Sequence, residues 1–103
     1  MKSLRKIAET EAALPDLSKD SFGEPVKVQG AAVRAVNNVR YVESGGRFKL
    51  FAEGAHTVKF TEGAGFFKWA RGEAAFSAGD IFRAENVGEY EINGVCKFFV
   101  VME

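Results

Sequence analysis

The sequence predicts an all-β protein, a barrel or sandwich of short antiparallel strands with one short helix at its N-terminus. Three observations carry that expectation. The stretch from Gly54 to Asp80, GAHTVKFTEGAGFFKWARGEAAFSAGD, sets β-branched and aromatic runs between glycines at short intervals, the pattern of strands joined by tight turns. The dipeptide Asn93-Gly94 suits a two-residue hairpin, because both central positions of a type I′ turn need positive φ. The final run, VCKFFVVM, is apolar at successive positions and so reads as a central strand covered on both faces.

Taken in order, Met1–Leu14 is predicted helical. Leu4, Ile7, Ala8 and Leu14 fall near one face, Ser3 can cap the start and Pro15 ends it. A helix this short must dock on something, either over one end of the barrel or on a partner. Asp16–Gly30 is a turn-rich connection holding one short strand at Val26–Val28. Ala31–Glu43 reads as two strand segments, Val33–Val36 and Val39–Val42, with a turn or bulge at Asn37-Asn38. A helical Ala31–Val42 would instead give an α+β fold. Hairpin turns are then expected at Ser44-Gly45-Gly46 and Glu53-Gly54, flanking a strand at Arg47–Ala52. Further strands are expected at His56–Thr61, Phe66–Ala70, Ala74–Ser77, Ile81–Ala84, Glu89–Ile92 and Val95–Met102, with turns at Gly63-Ala64-Gly65, Gly72, Gly79-Asp80 and Asn93-Gly94. The whole chain, residues 1–103, reads as one domain, helix over 1–14 and barrel over 26–102.

Composition narrows the function classes. The chain has 103 residues, and ten of its thirteen aromatics are Phe, which brings apolar area without a polar handle and so points to core filling. Fourteen basic and fourteen acidic residues cancel, leaving no electrostatic footprint for nucleic acid or an anionic membrane. Near-zero charge also removes the self-repulsion that keeps surfaces apart, so a homodimer is expected, with a sheet edge or face pairing across a two-fold axis. The single cysteine, Cys96, allows no intrachain disulfide and points to a reducing compartment, the cytoplasm. The N-terminus has no continuous apolar run of the secretory kind, and no window has the length needed to span a bilayer.

The stretch VKFTEG…RGEAAFSAGD resembles the middle of a small single-domain cupin, where a strand ends at a Gly, a hairpin follows and a Gly-Asp turn opens a second motif. Gly63 would close the first motif and Gly79-Asp80 open the second. The resemblance covers the C-terminal half to two-thirds of the chain and implies a small double-stranded β-helix, the jelly-roll barrel of that family. It also implies where metal ligands would lie. The family glutamate, seven residues before the closing Gly, falls on His56; the two histidines fall on Ala52 and Leu50, or on Phe51 and Lys49 with the longer spacing. The histidine of the second motif falls near Glu89–Glu91, with Tyr90 the nearest match. The resemblance is therefore to a cupin without its metal-binding histidines, and no metal and no cofactor are expected.

His56 is the one candidate for acid–base chemistry, placed by that register on the barrel-lining face with Val58 and Phe60. Trp69 and Tyr90, with Glu91 beside them, complete the expected ligand-binding set, since indole and phenol suit small polar or aromatic ligands. Cys96 sits in the apolar last strand without a basic neighbourhood that would make it a nucleophile. Ser77 and Asp80 lie in a turn with no sign of a nucleophile elbow, and Gly63-Ala64-Gly65 lacks the following helix of a phosphate loop. The leading reading is a metal-free module that binds a small polar molecule or serves as a scaffold. The alternative is a small isomerase-like cupin enzyme acting on a sugar or small carbonyl compound, with His56 as acid/base and Tyr90 or Glu91 assisting.

Overall fold

A computed structural model describes residues 3–8 and 23–102. Eight strands are present among them: β1 (Ser3–Ile7), β2 (Val26–Val28), β3 (Ala31–Val36), β4 (Val39–Ala52), β5 (Ala55–Trp69), β6 (Gly72–Ser77), β7 (Ile81–Glu85) and β8 (Gly88–Met102). They follow the order β1-β7-β5-β8-β4-β3-β2, with β6 beside the second half of β5. Every pairing is antiparallel. No helix among the described residues is long and apolar enough to cross a membrane.

The N-terminal helix expected from the sequence is not there. Ser3–Ile7 forms β1 and pairs residue by residue with β7, from Ser3 opposite Glu85 to Ile7 opposite Ile81. An isolated short helix is marginal, whereas β7 offers a row of backbone donors and acceptors that a helix over these residues would leave unpaired; tertiary pairing overrides the weak 3.6-residue pattern. Residues 1–2 and 9–14 of that predicted helix lie outside the described residues. Ala31–Val42 takes the strand alternative: β3 and β4 pair through Val36 and Val39, with Asn37 at positive φ in the turn. Asn38 ties this turn to the end of β8, its Nδ2 donating to the Met102 carbonyl at 2.9 Å.

Three predicted hairpins are also absent. Ser44-Gly45-Gly46, Gly63-Ala64-Gly65 and Asn93-Gly94 lie inside β4, β5 and β8, which run unbroken through them. These glycines stand side by side at one level of three adjacent strands, with Gly46 opposite Gly94 and Gly63 opposite Cys96. A Cβ on Gly63 would sit 2.2 Å from the Val95 carbonyl oxygen, and one on Gly94 would sit 2.4 Å from that of Ala64. Both residues have positive φ, 88° and 130°. The backbones of β5 and β8 approach too closely there for any side chain, so the glycines mark a crease in long strands rather than their ends.

A bulge beside the crease decides which residues of β5 face inward. The pairing with β8 slips between Phe60 and Glu62, and Thr61 at the slip donates its hydroxyl to the Lys97 carbonyl at 3.1 Å. One extra residue exchanges the faces of a strand. Val58 and Phe60 are buried before the bulge, and Phe67 after it. The interior they enter is filled by aromatic rings: Phe60 stacks on Phe76 with centroids 3.7 Å apart and meets Phe82 and Phe98 edge-on or tilted. The final strand is covered on both faces as the sequence predicts. Cys96, Phe98 and Val100 join the main core, and Phe99 and Val101 join a second buried cluster with Val39 and Tyr41.

Candidate functional site

The bend of β4, β5 and β8 brings His56, near the start of β5, to Tyr90 in β8, 34 positions further along the chain. His56 Nδ1 and Tyr90 Oη are 2.8 Å apart, and the rings meet edge to face with centroids 5.8 Å apart. Tyr90 is 1% exposed and stacks on Phe67 with centroids 4.8 Å apart, which fixes its ring and aims its hydroxyl. Burial lowers the His56 pKa from its ordinary 6.5, because a desolvated imidazolium loses hydration. Burial likewise drives the Tyr90 phenol far above its usual range. At neutral pH the pair is therefore an uncharged imidazole and an intact phenol.

His56 also lines a cleft of about 340 Å³, within the size range of small-molecule sites. Its wall is apolar over Val33, Val42, Phe48, Leu50 and Met102, with Arg40, Lys49 and Gln29 supplying the polar groups. Sequence reasoning missed Arg40 and Gln29. The signal for Arg40 was the alternation along β4, where Val42, Phe48 and Ala52 are buried on one parity and Arg40 shares it. Gln29 carries no such signal; it reaches the site because the β2–β3 turn folds its carboxamide onto the Lys49 backbone.

The other predicted residues separate. Val58 and Phe60 share the His56 face but are fully buried in the aromatic core. Trp69 and Glu91 lie around a second, smaller depression with Lys68, Glu89 and Tyr90. Glu91 is engaged there by Arg47, whose hydrogen bond holds the carboxyl below its ordinary range. Cys96 lines a larger groove of about 630 Å³ between β2, β4 and β8, where burial pushes its thiol up to about 11. That groove is larger than the His56 cleft, but three of its four ionic groups are spent on one another: Lys97 pairs with Glu62 at 2.9 Å and Glu43 at 3.6 Å.

Three of the positions that the cupin resemblance assigns to metal ligands, Leu50, His56 and Tyr90, lie near one another. Leu50 pairs with Tyr90 across β4 and β8, Leu50 and His56 share the cleft wall, and Ala52 is buried in the core. As a donor set they do not fit a metal. Leu50 and Ala52 offer no donor atom, Tyr90 keeps its proton, and His56 Nδ1 is already hydrogen-bonded; transition metals need several convergent imidazole, thiolate or carboxylate ligands. Among the described residues no group of three His, Cys, Asp or Glu could hold a metal ion.

No family model and no curated protein matches this sequence. Among solved structures, the chain is similar to the mannose 6-phosphate isomerase from Bacillus subtilis, with a TM-score of 0.62 and 18% identity. The likeness covers 75% of this chain and 27% of that one, so this chain spans well under half of that enzyme. Similarity at this identity speaks to the fold alone, and in fold this chain is a cupin-like β protein.

Proposed function

We propose that this chain is a cupin-like module that binds a small polar molecule in the His56 cleft without a metal centre. The observation that carries this reading is the replacement of a ligand set by the His56–Tyr90 hydrogen bond at the place where metal-ligand positions converge. The barrel interior behind it is packed with phenylalanine, so ligand space is confined to the mouth. A catalytic reading, an isomerase using His56 as acid/base, needs a second proton carrier in the cleft. Tyr90 holds its proton too tightly for that role, and Glu91 is paired with Arg47 and lines a different depression.

The test is metal analysis of the purified protein together with thermal-shift titration of Mn²⁺, Co²⁺, Ni²⁺ and Zn²⁺, with His56→Ala as control. A ligand at a hundred times its Kd stabilises a fold by about 2.7 kcal/mol, a shift that such scans detect readily. No bound metal and no metal-dependent shift are expected. Stoichiometric metal, or metal stabilisation that His56→Ala removes, would overturn the metal-free reading and favour the enzyme.

A further inference from the structure

A hydroxyl as deeply buried as that of Tyr90 must place its hydrogen on an acceptor, or the interior carries an unpaired donor. Its hydrogen-bond partner among the described residues is His56 Nδ1. A neutral imidazole carries one N–H. If Nδ1 held it, the Tyr90 hydrogen would have no acceptor. The satisfied arrangement has Tyr90 donating to Nδ1 and the imidazole hydrogen on Nε2. His56 thus enters the cleft wall as a hydrogen-bond donor, and Nε2 has no partner among the described residues.

The charge around it has one sign. Among the described residues, Arg40 and Lys49 are the ionic groups of the cleft, and no Asp or Glu lines it. Arg40 is half-buried and its Nη1 donates to the carbonyls of Asn37 and Val39 at 3.0 and 3.2 Å. Those contacts hold the guanidinium without neutralising it, and no carboxylate pairs with it among the described residues. Lys49 makes a 3.5 Å contact between exposed side chains with Glu89 and a longer-range attraction to Glu91, the kind worth little in water. Gln29 spends both ends of its carboxamide on the Lys49 backbone, each at 2.9 Å, so the side-chain acceptor in the cleft is already used.

Donors and positive charge on an apolar wall complement one ligand chemistry. We propose that the His56 cleft binds a small monocarboxylate with an apolar body, its oxygens accepting from His56 Nε2–H and Arg40 and its hydrocarbon part lying against Phe48 and Leu50. This rests on the reading of the cleft as the binding site. Charge-assisted hydrogen bonds to a carboxylate are about twice as strong as neutral ones, and the apolar wall gains nothing from a fully hydrated anion without a body to cover it.

The test uses the full chain and three probes of one shape, hexanoate, hexanamide and hexylamine, followed by calorimetry and by the ring resonances of the single histidine. Hexanoate is expected to bind at least ten-fold more tightly than hexanamide, to shift the His56 resonances, and to outcompete hexylamine. Arg40→Gln should weaken hexanoate about ten-fold and leave hexanamide unchanged. The ¹⁵N spectrum of the ligand-free imidazole, which needs no variant, should show the Nε2–H tautomer. Equal binding of hexanoate and hexanamide, tighter binding of hexylamine, or the Nδ1–H tautomer overturns the carboxylate assignment while leaving the cleft a binding site. Absence of saturable binding by all three overturns the binding reading itself.

Discussion

His56 Nδ1 and the hydroxyl of Tyr90 share a 2.8 Å hydrogen bond, and both side chains are buried, at 6% and 1% exposure. A polar contact in that setting carries more than its net energy, because either partner alone would be a desolvated, unpaired group. Tyr90→Phe keeps the stack on Phe67 and removes only the oxygen. We expect it to cost about 1–3 kcal/mol of stability, the penalty for orphaning a buried polar atom. It should also raise the His56 pKa, since a donor to Nδ1 favours the neutral ring. Urea unfolding and a proton titration of the single histidine check both effects.

The pH dependence of stability follows from the same ring. The folded pKa of His56 lies below its ordinary 6.5 because of burial. Between those two values the unfolded chain binds a proton that the folded chain does not, so stability rises with pH there. The contribution is complete above pH 6.5, is lost as pH falls through 6.5 toward the folded value, and is flat below that. The urea midpoint should therefore drop as pH is lowered from 7.5 toward 5, and His56→Gln should flatten the slope in that window. A slope unchanged in the variant would assign it to other groups.

Most of the strand content was legible because β-branched and aromatic runs have little else to become in a short chain. The turn after Asn37 and the central, doubly buried β8 both follow from local pattern. What local pattern could not separate was a glycine that ends a strand from one that lets two strands touch. Gly63 and Gly94 are indistinguishable from hairpin residues until β5 is known to lie beside β8, since the crowding atoms are the carbonyls of Val95 and Ala64 on the neighbouring strand. The His56–Tyr90 pair was hidden for the same reason: it depends on the curl and register of β4, β5 and β8, and its partner is a phenol rather than a carboxylate. The N-terminal segment failed in the opposite direction, where a weak helical period gave way to an open edge on β7.

That distinction between glycines is measurable. Gly63→Ala places a methyl group 2.2 Å from a backbone oxygen, at a φ of 88°, so both sterics and conformation oppose it. It should cost more than about 2 kcal/mol, at the upper end of what single substitutions do. At Gly45, in the same crease, a Cβ meets nothing within 4 Å, and Gly45→Ala should change stability by less than about 0.5 kcal/mol, as surface substitutions do. Denaturant unfolding of the two variants side by side decides the matter. Equal, small effects would mean that the crease is a true turn and that β5 and β8 do not pass so closely.

Cys96 provides an independent probe of the same packing. Its thiol is 3% exposed and pushed up to about 11 by burial, whereas an ordinary cysteine titrates near pH ~8.5. The thiolate is the reactive species, so at pH 8 the folded chain presents about a hundred-fold less of it than the unfolded chain, before access is considered. Alkylation by iodoacetamide at pH 8 should therefore be at least about a hundred-fold slower in buffer than in denaturing urea. Because Cys96 stands opposite Gly63, Gly63→Ala should accelerate its labelling in buffer as the crease opens. Fast labelling of the unsubstituted protein would mean that the groove floor is reached through local opening, and that the contact between β5 and β8 is much weaker than their long pairing implies.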